Sequence, residues 1–269
     1  MKAADAVVVS AAVPDDNPEL AEAKRRQLPV ISRGVMLARL ARERSTVAIT
    51  GTHGKSTTSS MVGVALAEAG LDPGVVVGAR VGAFGGNVRV GNGPLLVVEA
   101  DESESSFLEL MPQIAVITNL EEEHLDHYGT FDSLRDTMVS FANRVADSGL
   151  VVLCADDPEL VRLRGRIGGR VVTYGLENKT ADTVGDLPVF EAAGSRCVLR
   201  YKAQEHSATI ELQVGVPGRH NLLNALAAFS VAMEIGLDPE RTVTSLAQFA
   251  GVERRFYDLG VAGGVRVID

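Results

Sequence analysis

The 269-residue sequence has few cysteines, fewer basic than acidic residues and no long apolar run, and each of these shortages argues against a class of protein. Its two cysteines, Cys154 and Cys197, suit neither a disulfide framework nor a cysteine-rich zinc site. Both lie in apolar strand-like runs, so we expect buried free thiols. The net charge of −9 and the pI near 5.1 argue against broad nucleic-acid binding and against docking to an anionic membrane. We therefore expect small-molecule ligands.

No apolar run approaches the roughly 20 residues that a membrane-spanning helix needs. The opening stretch MKAADAVVVSAAV superficially resembles a short signal peptide, but its single lysine stands near an aspartate and Pro14-Asp15-Asp16 follows at once. We interpret residues 6–10 as a core strand and expect a cytoplasmic protein. The hydrophobic content of 46% is enough to bury a sizeable core, in one large domain or two small ones.

Alternating strand-like and helix-like runs predict an α/β fold with a mostly parallel sheet and helices on both faces. The strand-like runs cover residues 6–10, 47–50, 75–77, 95–99, 114–118 and 150–153, and the helix-like runs cover 18–27, 55–69, 131–145 and 157–163. After residue 168 the runs VVTYG, RCVLRY and ATIELQV predict a small antiparallel edge. Two more helices, at 219–236 and 239–249, and a strand at 265–268 complete the prediction.

The segment TVAITGTHGKS, residues 46–56, is the most informative in the chain. It is typical of a buried strand that runs into a phosphate-binding turn and then a helix. Gly51 and Gly54 let the backbone bend around an anion, and Lys55 adds a cation. The full G-x-x-x-x-G-K-[ST] pattern is only partly met, because Ile49 stands at its first glycine. A plain connecting loop is the alternative.

Each residue of this turn has a predicted role with ATP. The backbone N–H groups of Gly51, Thr52, His53, Gly54 and Lys55 would hold the β- and γ-phosphates. The Lys55 side chain would offset charge on the transferring phosphoryl group, and the Ser56 hydroxyl would bind Mg²⁺, with Thr57 as the alternative ligand.

Acidic residues follow the strand LLVVE, with four carboxylates between Glu99 and Glu104. They would repel one another unless a cation compensated, and Mg²⁺ prefers such oxygen ligands. A solvated acidic loop is the alternative, but Glu99 continues a buried strand, so we favour it as a metal ligand. His124, in the loop after IAVI, is a second candidate for Mg²⁺ or phosphate, against a merely exposed histidine.

Two further candidates lie in the last third of the chain. His220 and Asn221 begin a helix, where Asn221 either contacts a nucleotide base or caps N–H groups. Arg254 and Arg255 form a basic doublet beside an aromatic, suited to clamping phosphate or a carboxylate, or else an ordinary surface pair.

Five ordered motifs together resemble the Mur ligases of peptidoglycan synthesis: TGTHGKSTT, VVEADESESSFL, VITNLEEEHLDHYGTF, VPGRHNLLNALAA and GVERRF. The resemblance implies a three-domain, ATP-dependent ligase. It implies that residues 1–44 end an N-terminal UDP-sugar-binding domain, 45–256 form the central ATP-binding domain, and 257–269 begin a C-terminal amino-acid-binding domain, the outer two being incomplete. We therefore expect ligation by this chain alone to be absent or very weak.

The histidine of GTHGK and the run EADES point within the family to ligases that act on UDP-N-acetylmuramate. The resemblance implies that its lactyl carboxylate is phosphorylated by ATP and then attacked by L-alanine. It also implies that Lys55, Glu99 and His124 are catalytic, that Ser56 and Glu99 hold one Mg²⁺ and His124 a second, and that His220 and Asn221 contact the nucleotide. Several relatives place a carbamylated lysine after the His124 loop, but residues 131–145 contain no lysine.

Three alternatives remain open from the sequence. A recycling ligase that attaches a tripeptide to the same UDP-sugar shares the GTHGK and acidic motifs. A non-catalytic ATP-binding module serving as a partner subunit is a second possibility. An ordinary P-loop motor or switch is disfavoured, because LLVVE ends in Glu99 and not in an aspartate.

Overall fold

The computed structural model describes residues 4–10, 12–103, 105–203, 206–252 and 258–268. The helices are α1 Pro18–Arg25, α2 Arg33–Ala41, α3 Lys55–Glu68, α4 Leu125–Tyr128, α5 Phe131–Ala142, α6 Pro158–Leu163, α7 Arg219–Ile235 and α8 Pro239–Ala247, with short 3₁₀ turns at Gly82–Phe84, Ser105–Glu109 and Arg164–Arg166. The strands are β1 Val7–Val9, β2 Val30–Ser32, β3 Ser45–Thr50, β4 Gly74–Val81, β5 Gly86–Arg89, β6 Leu95–Glu99, β7 Ile114–Ile117, β8 Leu150–Cys154, β9 Arg170–Gly175, β10 Thr183–Glu191, β11 Gly194–Ala203, β12 His206–Val214, β13 Asp258–Ala262 and β14 Val265–Ile268.

A ten-stranded sheet of order β12-β11-β10-β9-β8-β7-β3-β6-β4-β5 organises the chain. The seven strands from β10 to β4 in this order are mutually parallel. At the two edges, β5 pairs antiparallel with β4, β11 with β10, and β12 with β11. The predicted α/β class with an antiparallel edge is therefore confirmed. Two small separate sheets pair β1 with β2 and β13 with β14.

The strand β3 lies in the middle of the sheet, between β7 and β6, and its end sets the position of the site. Ile49 lies opposite Glu99, and Thr50 lies opposite Ile117. The three strands consequently end at the same level, and the loops that follow them meet at one edge. In open α/β sheets this carboxyl edge is where ligands bind.

Apart from the single-turn helix α4, which follows His124 without a side-chain cap, the helix starts fall into two groups. Side chains cap the N–H groups of five helices: Asn17 at α1, Ser32 at α2, Thr130 at α5, Asp157 at α6 and Asp238 at α8. Helices α3 and α7 instead follow Gly54 and Gly218, and neither has a side-chain cap bond. No side chain thus caps their first N–H groups, and uncapped N–H groups at a helix start attract anions.

The sheet core explains why α3 is buried. Val47, Ala48, Ile49, Val97 and Val116 are at most 1% exposed. Helix α3 packs on the central strands β3, β4 and β6 and also against α7 and α8. Every residue of α3 from Ser56 to Leu66 is consequently buried, including its serines and threonines.

Other predictions needed correction at particular segments. The run VVTYG, predicted as antiparallel, forms β9, which is parallel to both β8 and β10. It extends the parallel sheet because Tyr174 and Val172 are buried on its core side. Strands β5 and β10 were not predicted, and β4 is longer than the predicted 75–77. The predicted helix 131–145 ends at Ala142 and the predicted helix 55–69 ends at Glu68. Within the described ranges, no helix combines the length and the apolar character that crossing a membrane requires.

Candidate functional site

The loop after β3 has two positions that only glycine fits. Gly51 has φ +124°, and a Cβ there would lie 2.3 Å from Thr118 Oγ1 and 2.9 Å from the Asn119 carbonyl oxygen. Gly54 has φ +83°, and a Cβ there would lie 2.5 Å from Asn224 Oδ1. Residues with a side chain rarely adopt such backbone angles, and a Cβ contact under 3 Å forces the neighbouring atoms to move. Both positions therefore favour glycine, while the expectation that the backbone bends around an anion here stays a prediction.

Hydrogen bonds fix this turn to the loop that follows β7. The His53 N–H donates to Asn119 Oδ1 at 2.7 Å, and Asn119 Nδ2 donates to the His53 carbonyl at 2.9 Å. The Thr52 N–H donates to the Asn119 carbonyl at 3.2 Å, and the Glu121 N–H donates to Thr52 Oγ1 at 2.9 Å. These bonds fix the turn to its neighbour, and they engage the N–H groups of Thr52 and His53 with Asn119.

The Lys55 ammonium makes three hydrogen bonds within the protein. It donates to the carbonyls of Gly51 at 2.8 Å and Thr52 at 3.2 Å, and to Glu102 Oε1 at 2.7 Å. An ammonium has three donors, so each is engaged. Lys55 thus lies at the centre of the turn, in a charged pair with a carboxylate.

That carboxylate, Glu102, is the main residue that sequence reasoning missed. It is 2% exposed, and besides Lys55 it accepts a bond from the Thr50 hydroxyl at 3.4 Å. The Tyr128 hydroxyl donates to its backbone carbonyl. Burial raises the pKa of Glu102, while the neighbouring Lys55 opposes that rise. Nothing in the acidic run distinguishes Glu102 from Asp101 or Glu104, so only the folded loop identifies it.

Glu99 and Ser56 lie together at the ends of β6 and the turn. Ser56 Oγ lies 3.1 Å from Glu99 Oε1, and the other carboxylate oxygen accepts from the Gly78 N–H at 2.7 Å. Ser56 is buried and Glu99 is half-buried. A hydroxyl and a carboxylate at this distance form the hard oxygen donor set that suits Mg²⁺, so the residues present fit that ion. Thr57, the alternative ligand, is 7% exposed and lies on the wall of the adjoining cavity.

His124 lies on the Lys55 side of the site. It has a left-handed φ of +54° just before α4, and its Nε2 lies 3.8 Å from Glu102 Oε1. Asp126 and His127 of the same turn are exposed. In the parts of the chain that the structure describes, no group of three or more His, Cys, Asp or Glu side chains is arranged to hold a metal by itself. A metal here would need oxygen atoms from a ligand as well.

A cavity of about 750 Å³ adjoins the turn. It lies between His53 and Gly54 on one side and the start of α7 on the other, where His220 and Asn221 contribute to its wall. The apolar part of the wall includes Tyr174, Val216, Leu223, Phe249 and Val252. A polar turn beside a partly apolar cavity of this size suits a nucleotide, with phosphates at the turn and a base in the cavity.

The two candidate residues at the start of α7 have different surroundings. Asn221 Nδ2 donates to the Pro217 carbonyl at 2.8 Å, while Gly218 occupies the N-cap, so Asn221 does not cap the helix. His220 is exposed as a residue, yet desolvation of its ring lowers its pKa and favours the neutral imidazole. Both residues form part of the cavity wall. Arg254 and Arg255, the predicted clamp, lie outside the described residues.

Asp156 and Asp157, which follow β8, also line the cavity and were not predicted as site residues. Asp156 accepts backbone N–H bonds from Leu176 at 2.8 Å and Asn178 at 2.9 Å, and it pairs with Arg219 at 3.1 Å. Asp157 accepts from the Leu120 N–H at 3.0 Å. The rule that polar residues after parallel strands meet at one edge would have found this Ala-Asp-Asp-Pro segment.

Comparison with known proteins agrees with the geometry. Residues 49–232 match the model of the Mur ligase middle domain, and residues 1–45 match that of the Mur ligase family, catalytic domain. The UDP-N-acetylmuramate–L-alanine ligase of Anaeromyxobacter dehalogenans is 47% identical over 98% of this chain. The chain spans 57% of that relative's length.

Two solved structures show the same fold. The UDP-N-acetylmuramate-alanine ligase of Thermotoga maritima superposes with a TM-score of 0.84 at 32% identity, covering 98% of this chain and 60% of that one. The UDP-N-acetylmuramate:L-alanyl-gamma-D-glutamyl-meso-diaminopimelate ligase of Neisseria meningitides gives a TM-score of 0.79 at 25% identity, covering 93% and 80%. The alanine ligases are thus the more similar in sequence.

Proposed function

We propose, on the premise that this chain belongs to the Mur ligase family, that it carries the ATP-binding part of a ligase that joins L-alanine to UDP-N-acetylmuramate. The observation that carries this proposal is the glycine turn after β3, with Lys55, Ser56 and Glu99 gathered at its rim. Among the solved structures, the identity of 32% to an alanine ligase, against 25% to the tripeptide ligase, favours L-alanine as the amine. Such a ligase makes a peptidoglycan precursor.

The turn and the uncapped start of α3 would hold the phosphates of ATP. The N–H groups of Gly51, Gly54 and Lys55 would supply donors, whereas those of Thr52 and His53 would first have to leave Asn119, to which they donate. The helix start adds partial positive charge. Lys55 would place its ammonium on the transferring phosphoryl group and offset the charge that develops there. His220 and Asn221 would contact the nucleotide in the cavity, and Arg254 with Arg255 would clamp phosphate or the substrate carboxylate.

Ser56 and Glu99 would hold one Mg²⁺ and His124 a second. The metal would supply charge neutralisation at the phosphoryl oxygens. No lysine lies in α5 to support it: Arg135 stands there, held by Asp132 at 2.6 Å and Glu159 at 2.6 Å. Any further ligands of the metal would come from the substrates or from water.

The proposed reaction has two balanced steps. The lactyl carboxylate of UDP-N-acetylmuramate attacks the γ-phosphorus of ATP, and ADP leaves, which gives an acyl phosphate. The amine of L-alanine then attacks the acyl carbon, phosphate leaves with the bonding electron pair, and the nitrogen loses a proton to give the amide. Phosphorylation makes the poor leaving group of a carboxylate into a good one.

The proposed division of labour is the one that the resemblance to Mur ligases implies. Residues 1–44 would end the UDP-sugar domain, residues 45–256 would bind ATP, and residues 257–269 would begin the amino-acid domain. Because ATP and nucleotide sugars are cytoplasmic metabolites, we place the protein in the cytoplasm. The alternative is a non-catalytic module that binds ATP beside a partner subunit. A turnover assay distinguishes this alternative from a ligase.

The test measures phosphate release from ATP and Mg²⁺ with UDP-N-acetylmuramate, and either L-alanine or the tripeptide L-alanyl-γ-D-glutamyl-meso-diaminopimelate as amine. The enzyme is this chain joined to both the amino-terminal and the carboxyl-terminal parts of the Anaeromyxobacter relative that lie outside the aligned region, with the chain alone assayed beside it. We expect L-alanine-dependent release that Lys55→Ala abolishes. Release that depends only on the tripeptide, or that ignores UDP-N-acetylmuramate, contradicts the proposal.

A further inference from the structure

Glu102 has contacts that the proposed roles of the site do not explain. It is not one of the predicted metal ligands, yet its carboxylate is 2% exposed and lies against the phosphate-binding turn. Burying a carboxylate is costly unless it is paired, and its charged partner is Lys55 at 2.7 Å. The pair therefore links the acidic loop after β6 directly to the turn after β3.

The ammonium of Lys55 has no donor left for a phosphate oxygen. Its three donors go to the carbonyls of Gly51 and Thr52 and to Glu102. To bind a phosphate, Lys55 must give up at least one of these acceptors. The two carbonyls belong to the turn itself and are neutral, whereas Glu102 is the acceptor that resembles a phosphate in charge.

We propose that Glu102 is a positioning residue for Lys55. Without ATP its carboxylate holds the Lys55 ammonium, and when ATP binds the γ-phosphate replaces that carboxylate as the partner of Lys55. Two anions that share one ammonium repel each other, so the exchange follows from the geometry of the pair. Thr50 and His124, at 3.4 Å and 3.8 Å from the carboxylate, remain beside it after Lys55 leaves. Glu102 thus lowers the affinity for ATP and keeps the lysine ordered at the turn.

This inference rests on the proposed binding of ATP at the turn, and its test distinguishes failure of the exchange from failure of ATP binding. A non-hydrolysable ATP analogue with Mg²⁺ is titrated calorimetrically into the parent chain and into Glu102→Gln. Glutamine keeps the size of the side chain and an acceptor oxygen but removes the charge that competes with phosphate. We expect Glu102→Gln to bind the analogue about tenfold more tightly.

The control is Asp101→Asn in the same loop. Among the described residues its carboxylate accepts from Ser103, at 2.7 Å from the hydroxyl and 3.1 Å from the N–H, so its removal takes away a similar charge without touching Lys55. We expect its affinity to stay within about twofold of the parent. Thermal unfolding checks that each variant is folded. If Glu102→Gln does not fold, Glu102→Asp replaces it, because the shorter side chain keeps the charge and breaks the 2.7 Å contact.

A double-mutant cycle separates exchange through Lys55 from a general effect of charge. In a Lys55→Ala background, Glu102→Gln has no lysine to release, so its gain in affinity should fall to that of Asp101→Asn. An equal gain in both backgrounds contradicts the exchange, as does a weaker or unchanged affinity of Glu102→Gln. A folded parent chain that binds no analogue overturns the proposed ATP site, and the exchange with it.

Discussion

Replacing Gly54 by alanine tests how closely the phosphate-binding turn packs on α7, because Gly70 offers a matched control. Both glycines have φ +83°, and they stand just before and shortly after the same helix, α3. A Cβ at Gly54 would lie 2.5 Å from Asn224 Oδ1, whereas a Cβ at Gly70 would have nothing within 4 Å. The two substitutions therefore share the backbone strain and differ in the contact.

The expected magnitudes follow from those two terms. A left-handed backbone angle costs alanine about 1–2 kcal/mol at either position. Crowding in a packed interior adds about 1–3 kcal/mol at Gly54 alone. Asn224 cannot easily retreat, since it is 6% exposed and its Oδ1 accepts the Thr58 hydroxyl at 3.2 Å. Gly54→Ala should thus lower the free energy of unfolding by about 2–5 kcal/mol and Gly70→Ala by about 1–2 kcal/mol.

Urea unfolding followed by circular dichroism measures both values. A second substitution, Asn224→Ala, removes the obstructing atom and should make Gly54→Ala cost no more than Gly70→Ala does. If Gly54→Ala and Gly70→Ala destabilise the chain equally, or if Asn224→Ala does not reduce the cost of Gly54→Ala, the inference that the turn packs closely on α7 is wrong.

Three further predictions concern other parts of the structure. Glu99→Gln should weaken binding of the ATP analogue about tenfold in Mg²⁺ and leave it unchanged in EDTA, as measured by calorimetry; equal loss in both would remove Glu99 from the metal site. Among the described residues, the Ser59 hydroxyl is buried without a partner, while Ser60 Oγ donates to the Ser56 carbonyl at 2.6 Å. Ser59→Ala should therefore be about 1 kcal/mol more stable to urea than Ser60→Ala, and the reverse order would contradict the burial. Burial raises the pKa of Cys154 to about 11 and of Cys197 to about 12, so at pH 8 both should resist thiol-labelling reagents until the chain is unfolded in urea, and rapid labelling of the folded chain would refute this.

The parallel part of the sheet was predictable where strands are buried on both faces. Leu95–Glu99 matches its prediction in both bounds, because a continuous apolar run bounded by a proline and an acidic loop has one good interpretation. Lys55 was likewise identified as the first residue of α3. Here local pattern and tertiary packing agree.

The strand β10 shows why prediction failed further along the chain. Its sequence TVGDLPVFE contains glycine, aspartate and proline, which are unfavourable in strands. The structure accommodates them with a bulge: the register with β11 shifts between Asp186 and Val189, and Leu187 takes a φ of +51°. Pairing with β11 and the ion pair of Asp186 with Lys179 at 2.8 Å stabilise this arrangement, and no local sequence pattern predicts either.

The site divides in the same way. Residues next to strand ends were identified because parallel strands bring their carboxyl ends together, which is how Ser56 and Glu99 come to lie 3.1 Å apart. Glu102 was missed because its role depends on the path of the loop, which turns one carboxylate of a run inward to Lys55. Sequence spacing predicts which edge carries the chemistry, but loop geometry decides which of several identical groups is buried there.

The central claim, that the turn after β3 binds ATP through Lys55, is tested most directly by calorimetric titration of a non-hydrolysable ATP analogue with Mg²⁺. The parent chain and Lys55→Ala are compared after both are shown to be folded. We predict saturable binding by the parent and an affinity about 10- to 100-fold lower in the variant, because a charge-assisted contact to phosphate is lost. A folded parent that does not bind, or a variant that binds equally well, would contradict the claim.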